Sequence, residues 1–220
     1  MTDHELSARS ALVRSAASLF SSGVMSHSGH ANLSARLDGD RLLLTTGGTV
    51  RELTEEGLAV VGLDGSVLEG ELDPTNREIV DMHVIVYRLR PEVRAVIHTH
   101  SPHLLAFALA NCELPCRYEA LLRFGQATPV PVVPWAPRGS ERSVEGIEDA
   151  LRQSPDTWAV LLGNHGVLTF GRGPAEAAGL VSALEEAAEA EIRARALGGA
   201  RDLPEGALAA VLASMARARG

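Results

Sequence analysis

Strand-length apolar runs alternate along this chain with amphipathic helical stretches, and tight turns join the early runs in place of regular crossover helices. Residues 32–37 and 41–45 flank Asp38-Gly39-Asp40, the pattern of a β-hairpin, and a third run, 58–63, ends at Asp64-Gly65. A helix over 5–22 precedes them, with Leu6, Leu12, Val13, Ala16, Leu19 and Phe20 near helical spacing and Gly23 as its stop. Asp73-Pro74-Thr75-Asn76 reads as a helix start capped by Thr75 or Asn76; the helix runs to Leu89, and Pro91 ends it. Residues 94–98 are strand-like and Pro102 opens the next helix, so His98-Thr99-His100 falls at the C-terminal end of a strand. Strands are expected near 130–133, at 157–162 and at 167–170, with helices at 143–152 and after Pro174 and Pro204. The expectation is an α/β chain, one domain over 1–220, in three α/β/α layers around a largely antiparallel or mixed sheet.

Composition narrows the chemistry. The sequence has no lysine: all 20 of its basic residues are arginine. A Schiff-base aldolase or a pyridoxal-phosphate enzyme needs a lysine amine, and a Walker-type loop needs its lysine on the phosphates. Carbon chemistry here would therefore rely on a metal ion or a carboxylate. The formal net charge of -8 argues against a nucleic-acid partner or an acidic membrane surface, both of which call for a basic stripe. No run approaches the ~18 apolar residues of a membrane span, and Asp3, His4, Glu5, Arg9 and Arg14 interrupt the first helix, so a cytoplasmic protein is expected. Cys112 and Cys116, too few for a disulfide framework and without histidines close by, read as structural thiols.

Three histidines have a setting suited to a metal. Residues i and i+2 of an extended segment project to one side, so His98 and His100 can share an ion. His165 lies in Gly163-Asn164-His165-Gly166, a polar turn between two apolar strands, and three protein ligands with an open position are the pattern of catalytic zinc. Taken alone, the His-x-His pair fits hydrogen-bonded or exposed imidazoles equally well.

The segment Arg90-Pro91-Glu92-Val93-Arg94-Ala95-Val96-Ile97-His98-Thr99-His100-Ser101-Pro102 resembles the signature of the class II aldolase/adducin family. The resemblance runs from the first helix through the Ala/Glu-rich one after Pro174. Gly29-His30-Ala31-Asn32-Leu33-Ser34 is similar to the family's N-terminal phosphate loop, Thr45-Thr46-Gly47-Gly48 to its Thr/Ser-Gly loop, and Pro74-Thr75-Asn76 to the segment before its catalytic acid. It implies a divalent ion, zinc or alternatively Mn2+ or Co2+, on His98, His100 and His165. It also implies a substrate phosphate held by Asn32, Thr46, Gly47, Thr75 and Asn76, although each motif alone reads first as a turn or cap. Glu78 best matches the catalytic carboxylate; it stands five residues before His83 where the family pattern has four, which leaves Asp81 as the alternative. Tyr118 matches a tyrosine that protonates the aldehyde half, and no tyrosine follows it.

The function so implied is cleavage of a ketose 1-phosphate, of the L-fuculose or 5-deoxyribulose type, into dihydroxyacetone phosphate and an aldehyde by a homotetramer. The same chemistry serves epimerases, sugar-acid decarboxylases and dehydratases of the family, and adducin-type relatives keep the fold as a non-catalytic interaction module. A metallohydrolase is disfavoured by the absence of a His-Glu-x-x-His helix and of clustered aspartates.

Overall fold

A computed structural model describes residues 2–218; residues 1, 219 and 220 of the expected domain lie outside it. In chain order its elements are α1 (Asp3–Ser21), β1 (Ala31–Arg36), β2 (Arg41–Thr45), β3 (Leu58–Gly62), β4 (Val67–Glu69), α2 (Pro74–Arg77), α3 (Val80–Leu89), β5 (Ala95–Thr99) and α4 (Pro102–Ala110). These are followed by α5 (Glu119–Leu122), β6 (Val132–Val133), α6 (Glu141–Gln153), β7 (Ala159–Leu162), β8 (Gly166–Gly171), α7 (Pro174–Ala194) and α8 (Ala207–Ala218).

One eight-stranded sheet, ordered β4-β3-β2-β1-β5-β8-β7-β6, organises the chain. Every pair is antiparallel except the parallel β6–β7 edge, so the sheet is mixed, as the hairpin turns lead one to expect. Two-residue alternation splits its apolar side chains between two cores. Leu42, Leu44, Ala59, Val61 and Val96 face the layer that contains α3 and α6. Leu33, Leu43, Val60, Ala95 and Ile97 face α1 and the first turns of α7. The runs read as strands are apolar on both sides because both sides are covered. The third layer therefore follows from the strand pattern itself.

The segment expected as one helix from 73–76 to Leu89 is two helices. Asp73, not Thr75 or Asn76, is the cap: its carboxylate accepts the Thr75 backbone N–H at 2.8 Å and the Thr75 hydroxyl at 2.6 Å. Glu78 closes α2, and Ile79, at φ -103 and ψ 0, turns the chain before α3. Periodicity missed the break because Ile79, Met82 and Val86 are buried on both sides of it.

Candidate metal centre

The three histidines converge where strand ends meet. β5 pairs with β8 in the register His98–Leu168 and Thr99–Val167, and the β7–β8 turn brings His165 back beside the end of β5. Asn164 has φ 57, a left-handed conformation that a short polar residue tolerates. At Gly166 a Cβ would stand 2.6 Å from Thr99 O and 2.7 Å from a His100 ring carbon, so only glycine lets the turn close on the pair. The ring centroids are separated by 4.9 Å (His98–His100), 4.7 Å (His98–His165) and 5.1 Å (His100–His165). One nitrogen from each ring lies within 4.8 Å of the others, and His98 Nε2 and His100 Nε2 are 3.1 Å apart.

This donor set fits a divalent cation. His98 Nδ1–H donates to Val167 O at 3.0 Å, which fixes the tautomer and leaves Nε2 as a lone pair directed at the other two rings. Burial, together with the neighbouring imidazoles, holds His98 well below the ordinary histidine value. Burial takes His100 to about 4, with His165, His30 and Arg138 adding to the effect, and His165 is lowered by burial and Arg138. Unprotonated imidazoles at neutral pH are what metal ligation requires.

A buried polar chain leads to this point from α3. Tyr87 and Ser34 hydroxyls are 2.8 Å apart, Ser34 Oγ–H donates to His83 Nδ1 at 2.7 Å, and His83 Nε2–H donates to Asn32 Oδ1 at 2.7 Å. Asn32 thereby keeps its amide nitrogen free of protein partners among the described residues, next to His98 across the β1–β5 pair. Gly47 borders open space. The other phosphate candidates are differently placed. The Thr46 hydroxyl donates to Gly57 O, Thr75 is tied to Asp73, and Asn76 donates to Thr45 O at 2.8 Å while its buried Oδ1 has no partner.

Glu78 and Asp81 are separated by the break between α2 and α3. Glu78 Oε2 is 3.9 Å from Arg138 Nε, whereas Asp81 lies over the Gly65 turn, where its Oδ1 is 3.3 Å from the place a Cβ would occupy. Arg138 is the functional candidate that the sequence reading missed. Its only signal was its place in a Pro-Arg-Gly-Ser turn before a helix. Tyr118 is not brought to the imidazoles by any hydrogen bond or ring contact; it is 41% exposed and its hydroxyl donates to Glu186 at 3.3 Å. His103 turns to Glu185, whose carboxylate accepts both its Nδ1–H and its backbone N–H at 2.8 Å.

Residues 10–192 match the model of the Class II Aldolase and Adducin N-terminal domain. The chain belongs to this family. Among class II aldolase relatives, it is 34% identical over 192 residues to a 3-oxo-tetronate 4-phosphate decarboxylase of Pectobacterium atrosepticum, covering 84% of each chain. It is 32% identical over 154 residues to a 5-deoxy-D-ribulose 1-phosphate aldolase of Bacillus thuringiensis, covering 70% of this chain and 69% of the relative. A solved L-fuculose 1-phosphate aldolase superposes with a TM-score of 0.82 at 24% identity, covering 95% of this chain and 96% of the other, and so shares the class II aldolase fold. No helix among the described residues is long and apolar enough to cross a membrane.

Proposed function

We propose that this class II aldolase family member is a metal-dependent lyase that breaks a carbon–carbon bond beside the carbonyl of a phosphorylated sugar. The observation that supports this reading most is the convergence of three imidazoles on one point, one nitrogen of each lying within 4.8 Å of the others. His98, His100 and His165 would hold a divalent cation, zinc or alternatively manganese or cobalt, which when bound would supply Lewis acidity toward the carbonyl. Asn32 and the Gly47 backbone orient the phosphate. Thr46 and Thr75 join them only by turning their hydroxyls from their present acceptors, whereas Asn76 has one amide hydrogen unused.

Two substrates share one electron flow. In a ketose 1-phosphate the C3–C4 bond breaks, its electron pair passes into C2–C3, and a base must take the C4 hydroxyl proton as the aldehyde leaves. In a 3-oxo acid phosphate the bond between the carboxylate carbon and C2 breaks, the pair passes into C2–C3, and carbon dioxide leaves with no proton to remove. In both cases Glu78 delivers a proton to the carbon that keeps the pair. The position of Tyr118, exposed and bonded to Glu186, favours the second substrate, because only the aldol reaction calls on a hydroxyl group at the leaving half.

The test is to incubate metal-loaded protein with ketose 1-phosphates, ketose 5-phosphates and 3-oxo acid phosphates, scoring dihydroxyacetone phosphate, aldehyde and carbon dioxide separately. Cleavage of at least one substrate, abolished by chelation and restored by the metal, is expected. Absence of metal from the purified protein together with no cleavage across the panel would leave the adducin-like binding module as the better reading.

A further inference from the structure

Four buried polar side chains from α3 and β1 form one row, taken alternately from the two elements. On β1, Asn32 and Ser34 stand two residues apart, so they share a face and are about 6.6 Å apart along the strand. On α3, His83 and Tyr87 stand four residues apart, again on one face and about 6 Å apart along the axis. The two spacings match, and the side chains interleave. Tyr87 Oη is 2.8 Å from Ser34 Oγ, Ser34 Oγ is 2.7 Å from His83 Nδ1, and His83 Nε2 is 2.7 Å from Asn32 Oδ1. None of the four is more than 5% exposed, and no carboxylate partners the His83 ring among the described residues.

The row has a direction. An amide oxygen can only accept, so the hydrogen between His83 and Asn32 is carried by Nε2. Nδ1 of the neutral ring is then an acceptor, the Ser34 hydroxyl gives it its single hydrogen, and the Tyr87 hydroxyl donates to the Ser34 oxygen. Reversing the order would turn every group, and Asn32 would then present its oxygen where it now presents its nitrogen. This amide is held directly opposite His98 in the β1–β5 register. Its nitrogen has no protein partner among the described residues, yet, unlike the unpaired Oδ1 of Asn76, it is not sealed from solvent.

We propose that His83 is a positioning residue for substrate binding: its Nε2–H holds the Asn32 carbonyl, so that Asn32 offers the substrate two N–H donors and no acceptor. The inference rests on the reading above, in which Asn32 meets the substrate phosphate, and adds what orients that contact. An amide free to turn over would present its oxygen to an anionic oxygen half of the time, and the two would repel. Ser34 and Tyr87 act one step further back, by fixing which ring nitrogen of His83 carries the hydrogen.

Two measurements on the metal-loaded protein test this without turnover. Nitrogen NMR of the wild-type imidazoles at neutral pH needs no variant and is expected to show His83 protonated at Nε2 alone. Calorimetry with glycerol 3-phosphate, which has a phosphate but no carbonyl to react, reads the contact itself. Asn32→Ala is expected to weaken binding by about 10–100-fold, the range of a hydrogen bond to a charged group, and His83→Leu by nearly as much. His83→Gln keeps an N–H donor near the position of Nε2 and should stay within about threefold of the wild type. In the Asn32→Ala background His83→Leu should add less than about twofold, because a residue that acts only through Asn32 has nothing left to orient. A His83 ring protonated at Nδ1 would overturn the assignment and leave the lyase reading in place. So would additive losses in the double variant, which a merely structural role produces. Wild-type affinity in N32A would remove Asn32 from the substrate contacts and the assignment with it, cleavage being untouched. Failure of the wild type to bind the probe, with the metal present, would remove the sugar-phosphate reading as well.

Discussion

Asn32 and His98 stand directly opposite one another in the antiparallel β1–β5 pair, so a candidate substrate contact and a candidate metal ligand share one face of the sheet. The bond from His83 to Asn32 joins this pair to the buried chain through Ser34 and Tyr87.

That chain makes stability depend on pH. Burial lowers His83 to about 3, so the folded protein keeps it neutral while the unfolded chain takes up a proton near the ordinary 6.5. Its contribution is complete above pH 6.5 and is lost progressively as pH falls toward 3. Urea midpoints of the metal-free protein should therefore decline over this range, each such group adding about 1.4 kcal/mol per pH unit. His83→Gln should flatten the slope. A slope unchanged by that substitution would show that His83 does not remain neutral in the fold.

Removing one ligand should separate metal from fold. His100→Ala is expected to lower zinc affinity by at least ~100-fold and abolish turnover, with far-ultraviolet circular dichroism unchanged, because His100 is only half-buried at a strand end. Metal content after dialysis is the measurement. Retention of stoichiometric zinc by H100A would place the ion elsewhere.

Glu78 and Asp81 should behave differently. Glu78→Gln preserves size and, if Glu78 moves the proton, should reduce kcat by roughly 10²–10⁴-fold without loss of metal. Asp81→Asn, whose carboxylate lies over the Gly65 turn, should change kcat by less than about threefold. Full activity of E78Q alongside an inactive D81N would exchange their roles.

Association of copies is expected, with a homotetramer as the proposed state. Leu109 (53%), Trp135 (59%) and Leu197 (90%) remain exposed on the single chain and are the side chains a subunit contact would cover. Light scattering should give a multiple of 23.2 kDa, and a mass of 23.2 kDa itself would exclude it.

Much of this architecture was legible in the linear pattern, because strand alternation, turn residues and proline stops act over a few neighbours. The β1–β2 hairpin and the proline-opened α4 and α7 are set by such local preferences. His98 and His100 share a side for the same reason, since two-residue alternation is a property of any extended segment. Other features depend on contacts distant in sequence. Asp73 won the helix cap because its carboxylate reaches two Thr75 donors, and the helix breaks at Glu78, against which the distant Gly139 packs with no room for a side chain. Likewise, β7–β8 pairing brings His165 to the first two histidines, and the β6–α6 turn brings Arg138 to Glu78 across sixty positions of chain. Residue types and their local spacing determined which donors this protein possesses; long-range strand pairing and close packing decided which of them face one another.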